Sequence, residues 1–162
     1  MTSAVAAQTA IITPASPAGC TSSEGRQFDF WVGKWEVFAA QQPQTKVADS
    51  LIEKLYSGCA VRENWMPLKG AGGGSFSAYV PGDHGWRQTW IGPGGFADFK
   101  GGWNGATTII QGIWPQPGHP TQMTRMTYRP HADGSVEQAG ETSDDGGKSW
   151  QPGFDFIYRR AR

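Results

Sequence analysis

Trp86-Arg87-Gln88-Thr89-Trp90 decides how this chain is read. On a β-strand, successive side chains point to opposite faces, so Trp86, Gln88 and Trp90 share one face and Arg87 and Thr89 the other. The same alternation recurs in Phe28-Asp29-Phe30-Trp31-Val32-Gly33-Lys34-Trp35 and in Glu63-Asn64-Trp65. The chain carries eight tryptophans in 162 residues, and most fall in such segments. Several strands with bulky rings on one face bury those rings when they wrap into a closed wall. The expectation is a small β-barrel with an aromatic interior and a binding cavity.

Outward from that stretch, strand signals recur every 10 to 13 residues. Strands are predicted at 34–40, 46–57, 59–66, 73–80, 85–92, 95–102, 106–114, 121–129, 134–142 and 149–160. Turn chemistry separates them, as in Gln41-Gln42-Pro43-Gln44, Pro81-Gly82-Asp83-His84-Gly85, Gly92-Pro93-Gly94-Gly95 and Ala132-Asp133-Gly134. Short strands with tight connections form an antiparallel meander, and closure removes its exposed edges. The predicted fold is therefore all-β: a closed antiparallel up-and-down barrel of eight to ten strands. Helical periodicity is weak throughout. The best short helix is 22–31, with Ser22 or Ser23 as cap, Glu24 in the first turn and Gly33 as terminator, closing one end of the barrel.

Composition sets the limits. A chain of this length makes one domain with a proper core. Lys+Arg and Asp+Glu both number 14, so no electrostatic footprint for nucleic acid or an anionic membrane surface exists. No run approaches the roughly 18 apolar residues of a membrane span. Residues 1–20 are rich in Ala, Thr, Ser and Pro and carry no charged side chain. They read as a flexible N-terminal extension or the remnant of an export signal, with Ile11-Ile12 against the barrel surface; the barrel domain then spans 21–162. Cys20 and Cys59 form no Cys-x-x-Cys, which excludes a zinc ribbon or thioredoxin motif. Two readings stay open for them. A disulfide would pin the first ordered segment to a strand in an oxidising compartment; alternatively both are free thiols, with Cys59 a buried small apolar residue.

Gly33-Lys34-Trp35 is a Gly-x-Trp near the start of the first strand. Here the chain resembles the calycin superfamily of lipocalin-like barrels, and the resemblance implies that Trp35 is covered by an arginine of the last strand, Arg159 or Arg160. More of the chain, residues 20–160, is similar to a group of uncharacterised bacterial lipocalin-like proteins of the DUF1579 type. The carrying segments are Gln27 to Val37, Gly58-Cys59-Ala60-Val61-Arg62-Glu63-Asn64-Trp65, Gly74-Ser75, Trp86 to Trp90 and Ser143 to Trp150. Lys34 stands where that group more often has an acidic residue, and Tyr128 where it usually has Trp. The resemblance implies the fold, and an export signal common in the group implies a periplasmic or secreted home. It carries no established activity. Ser143-x-Asp145-x-Gly147-x-Ser149-Trp150 also fits an Asp-box, in which Asp145 binds turn amides and Trp150 packs beneath, a structural brace for one hairpin.

Gly70-Ala71-Gly72-Gly73-Gly74-Ser75 lacks the Lys-Ser/Thr ending of a phosphate loop and reads as a flexible loop at the barrel mouth. His84, His119 and His131 fall in predicted turns without metal-ligand spacing, so neither metal nor other cofactor is expected. No nucleophile elbow or reactive-Cys signature appears. What remains is polar residues on strands among aromatics. If the Trp-bearing faces line the lumen, Glu63 and Gln88 point inward. On 121–129 the two faces are Gln122/Thr124/Met126/Tyr128 and Met123/Arg125/Thr127/Arg129, and the pattern leaves the inner face open. Analogy with the family makes Arg125 a candidate partner for Glu63.

The expected ligand-binding residues are Trp31, Glu63, Trp65, Tyr79, Trp86, Gln88, Trp90, Arg125, Tyr128 and Gln138, with Tyr158 as a further hydrogen-bonding group; the structural set is Gly33, Trp35, Arg159, Asp145 and Trp150. The leading function is binding a small, largely apolar or aromatic molecule in the lumen. A cofactor-independent isomerase, lyase or cyclase is the alternative, with Glu63 as general base or acid and Arg125 or Tyr158 stabilising negative charge. A filled barrel serving as an envelope protein is the third. A homodimer is compatible with all three.

Overall fold

A computed structural model describes residues 20–162; the expectations for residues 1–19, the N-terminal extension and its Ile11-Ile12 contact, lie outside them. Ten strands follow one another: β1 (Gly33–Ala39), β2 (Gln42–Leu55), β3 (Ala60–Pro67), β4 (Gly73–Val80), β5 (Gly85–Gly92), β6 (Gly95–Trp103), β7 (Thr108–Ile113), β8 (Met123–Pro130), β9 (Val136–Ser143) and β10 (Gln151–Arg160). Each pairs antiparallel with the next, and β10 pairs with β1, so the sheet is a closed up-and-down barrel without a free edge. No helix among the described residues is long and apolar enough to cross a membrane.

β2 begins at Gln42, four residues before the predicted start, and Pro43 lies within it. The register between β1 and β2 shifts at Val37/Phe38 and again at Phe38/Ala39. Such an irregularity leaves a residue outside the ladder, where a proline without an N–H does no harm. The capping helix resolves into two 3-10 turns, Glu24–Arg26 and Asp29–Trp31.

Strand direction defines the two ends. The turns after β2, β4, β6 and β8, with residues 20–32, gather at one end; the turns after β1, β3, β5, β7 and β9 gather at the other. The first end is plugged. Phe28, Trp31, Trp35, Trp86, Tyr128 and Tyr158 are all buried there or just above it. Phe28 and Trp31 lie 5.1 Å apart by ring centroid, and each lies 4.9 Å from Tyr128. Trp35 donates its indole N–H to the Trp31 carbonyl at 2.8 Å, which fixes the 3-10 turn onto β1.

Trp35 and Arg160 are register partners on the inward face, so it is Arg160, not Arg159, that lies over the Trp35 ring, 4.0 Å from its centroid. Arg160 also donates to the Val32 carbonyl at 2.7 Å. Arg159, one residue earlier, faces outward, covers Phe38 at 4.4 Å and donates to the Pro43 carbonyl. The strand alternation makes this correction. Gly33 has φ +151°, and a Cβ there would fall on the Arg160 guanidinium, so the glycine and the arginine are one device.

Cys20 and Cys59 are joined in a disulfide. It ties the start of the plug to the residue before β3. Closing a loop of 39 residues adds roughly 3–4 kcal/mol by chain entropy. At the opposite end, Asp145 accepts from the Lys148 and Ser149 amides at 2.9 Å and from the Ser149 hydroxyl at 2.6 Å. These bonds, Ser149's first, hold its carboxyl well below the usual carboxylate range. Trp150 donates to the Gly147 carbonyl and closes the β9–β10 hairpin.

Candidate functional site

The open half of the barrel encloses a cavity of about 190 Å³. For scale, a cavity of about 150 Å³ accommodates benzene. Its upper wall is aromatic: Trp65 from β3, Trp90 from β5, Trp114 just after β7, and Phe154 and Phe156 from β10. Trp65 lies 5.4 Å from Phe156, Trp90 lies 5.9 Å from Trp114, and Phe154 stacks on Phe156 at 5.2 Å. Two glycines make room for these rings. A Cβ at Gly140 would meet Phe154, and one at Gly73 would meet Trp90. Gly73, Gly74 and Ser75 lie in β4, as the predicted strand 73–80 has them, so of the expected mouth loop at 70–75 only residues 70–72 lie outside a strand.

The floor is polar. Glu63, Gln88, Gln138 and Tyr158 reach it from β3, β5, β9 and β10, with Met126 from β8. Glu63 accepts the Ser75 hydroxyl at 3.0 Å, and its other oxygen lies 3.4 Å from the Tyr158 hydroxyl. Tyr158 donates to Gln138 at 2.6 Å, and Gln138 donates to the Tyr128 hydroxyl at 3.1 Å. Gln88 donates to Ser77 at 2.9 Å. Tyr128 thus sits one layer beneath the cavity, joining floor to plug.

Burial pushes the Glu63 carboxyl up to about 7, against the opposing pull of hydroxyls at Ser75, Tyr158 and Ser50. The Ser50 hydroxyl is buried without a partner at hydrogen-bond distance. Burial also pushes both Tyr128 and Tyr158 upward, and the Glu63 charge adds to this. A carboxyl that changes charge near neutrality, inside an apolar box, can donate, accept or transfer a proton.

Of the residues expected at the site, Glu63, Trp65, Gln88, Trp90, Gln138 and Tyr158 line the cavity. Trp31 and Trp86 face inward but pack with Phe28 in the plug, and Tyr79 packs on Trp86 at 6.1 Å. Arg125 does not meet Glu63. Thr124, Met126 and Tyr128 are buried on the inner face of β8, which turns Arg125 outward. There it pairs with Glu141 at 2.8 Å and lies over Trp150, 4.3 Å from the ring centroid, as part of the hairpin brace. Trp114, Met126, Phe154 and Phe156 were not among the expected lining residues. The signal for the two phenylalanines is the period-two series Phe154, Phe156, Tyr158. Among the described residues no group of three or more His, Cys, Asp or Glu side chains could hold a metal ion. No protein-family model matches the chain, and no curated protein matches it.

Proposed function

We propose that this protein binds a small, largely apolar, aromatic molecule inside its barrel, and that it is an exported lipocalin-like protein of the DUF1579 type. The observation that carries the binding reading is the 190 Å³ hollow with an aromatic wall and a few convergent polar groups on its floor. The Cys20–Cys59 disulfide supports export, because such bonds persist in oxidising compartments. A barrel filled for structure alone would not leave an open aromatic cavity. The test is a titration of tryptophan fluorescence with neutral aromatic probes such as 2-phenylethanol and indole. Saturable quenching is expected in the wild type and weakened in Trp90→Ala; no response to any probe refutes the reading.

One observation favours catalysis as a second reading: burial pushes the Glu63 carboxyl up to about 7, the range in which a general acid or base works. With Arg125 outside, Tyr158 is the remaining group to stabilise negative charge. Glu63→Gln separates the readings. A carrier keeps its affinity for neutral probes, whereas a catalyst of isomerisation or elimination loses turnover by orders of magnitude.

A further inference from the structure

The floor of the cavity carries one carboxyl group and no cation. Glu63 is faced by Ser50 from β2, Ser75 from β4, Tyr158 from β10 and, at longer range, Tyr128 from β8. Gln88 and Gln138 complete the floor from β5 and β9. All are uncharged at neutral pH. The neighbouring Arg62 faces the other way and pairs with Glu53 on the outer wall. When Glu63 ionises, its charge has no counter-ion.

The hydrogen bonds to Glu63 come from neutral hydroxyl groups alone. The Tyr158 hydroxyl is the nearest donor to the second Glu63 oxygen, at 3.4 Å, but its single proton lies on the 2.6 Å bond to Gln138. The Gln138 amide donates to Tyr128 and to the Met126 sulfur at 3.5 Å. The Gln88 amide donates to Ser77 and, at 3.4 Å, to Tyr128. Apart from Ser75, the Ser50 hydroxyl is the one neutral donor facing Glu63 that holds no other partner, and no donor on the floor carries a charge. Trp65, Trp90 and Phe156 line the wall of the same cavity, and the face of an aromatic ring attracts cations and repels anions.

From this arrangement we propose that the ligand is a small organic cation: an aromatic ring on a short linker to a protonated amine, with the ammonium on Glu63 and the ring among the indoles. The proposal deepens the binding reading above and rests on it. An ammonium brings a positive charge to a site that has a carboxyl group and no cation, while a carboxylate or phosphate ligand would meet Glu63 with like charge. The empty site keeps Glu63 protonated up to about pH 7 through burial, so the amine must displace that proton. Amine affinity therefore falls about tenfold per pH unit below the Glu63 midpoint and levels off above it. A neutral ligand shows no such slope.

The experiment uses three probes of one shape: 2-phenylethylamine, 2-phenylethanol and phenylacetate. Each is titrated into the full chain at pH 5, 6, 7 and 8, by tryptophan fluorescence and calorimetry. At pH 8 the amine is expected to bind at least about tenfold more tightly than the alcohol, with phenylacetate weakest. The advantage shrinks toward pH 5. Glu63→Gln reduces the amine to the affinity of the alcohol and flattens the amine's pH profile; if that variant does not fold, the wild-type pH profile decides alone. Equal affinities at pH 8, a flat amine profile, or a preference that survives Glu63→Gln overturns the proposal. If the alcohol binds but the amine is no tighter, only the cation assignment falls. If no probe binds, the cavity reading falls with it.

Discussion

Replacing Glu63 by glutamine removes one titration and leaves the shape of the site. Folding raises the Glu63 midpoint from 4.5 to about 7, chiefly by burial. A carboxyl raised in this way prefers its proton in the folded state. Between pH 4.5 and 7 the folded chain holds a proton that the unfolded chain has released, so stability falls as pH rises. Its contribution is intact below the unfolded midpoint and lost through the folded one. The gap of about two and a half pH units, at about 1.4 kcal/mol each, gives roughly 3 kcal/mol. A glutamine side chain there would mimic the protonated acid, accepting from Ser75 through its carbonyl and donating to the Tyr158 oxygen through its amide. Glu63→Gln is therefore expected to match the wild type near pH 4 and to exceed it by roughly 3 kcal/mol at pH 8. Urea unfolding followed by tryptophan fluorescence, from pH 4 to 8, measures the difference, in which all other titrations cancel. Parallel profiles for the two proteins would show that Glu63 is solvated or paired, and would refute the reasoning.

Three further outcomes follow from the frame. Arg160→Ala loses the Trp35 contact and the bond to Val32 and is expected to lower stability by about 0.5–2 kcal/mol in thermal unfolding, more than Arg159→Ala. Cys20→Ser with Cys59→Ser is expected to cost roughly 3–4 kcal/mol in urea unfolding, and reductant applied to the wild type should reproduce it. Asp145→Ala strips the acceptor from the Lys148 and Ser149 amides; hydrogen exchange at both should accelerate while the β4–β5 amides stay protected.

The barrel was legible because its signals are local. Alternation around Trp86–Trp90 and Gly-containing turns are read within ten residues, and β4 and β5 start and stop where those signals place them. β2 ran longer than expected because a register shift absorbs Pro43, and such shifts are set by the partner strand. The site was legible only in part. Glu63 and Gln88 share faces with tryptophans, so alternation turns them inward. On β8 both faces mix apolar and polar groups, and the choice between Met126 and Arg125 is made by the closure of the barrel around them. Depth along a strand is also invisible locally: Trp86 and Trp90 share a face four residues apart, yet one packs in the plug and the other walls the cavity.

That division explains why a barrel so rich in large rings has a hollow at all. Packed interiors leave few voids larger than a water molecule, so an opening must be built from small inward residues. In the plugged half the inward positions are taken by Phe28, Trp31, Trp35 and Trp86. Toward the cavity, β2 offers Ala48 and Ser50, β4 offers Ser75 and Ser77, and β6 offers Ala97, all buried. Gly140 on β9 lets the Phe154 ring lie flat against the wall instead of across it. The serines do two things at once: they take up little volume, and two of them supply the bonds that orient Glu63 and Gln88. A structural core gains nothing from a buried carboxyl whose deprotonation weakens the fold. The same carboxyl, at the base of an aromatic shaft and without a counter-ion, gains what it lacks when a cationic ligand enters.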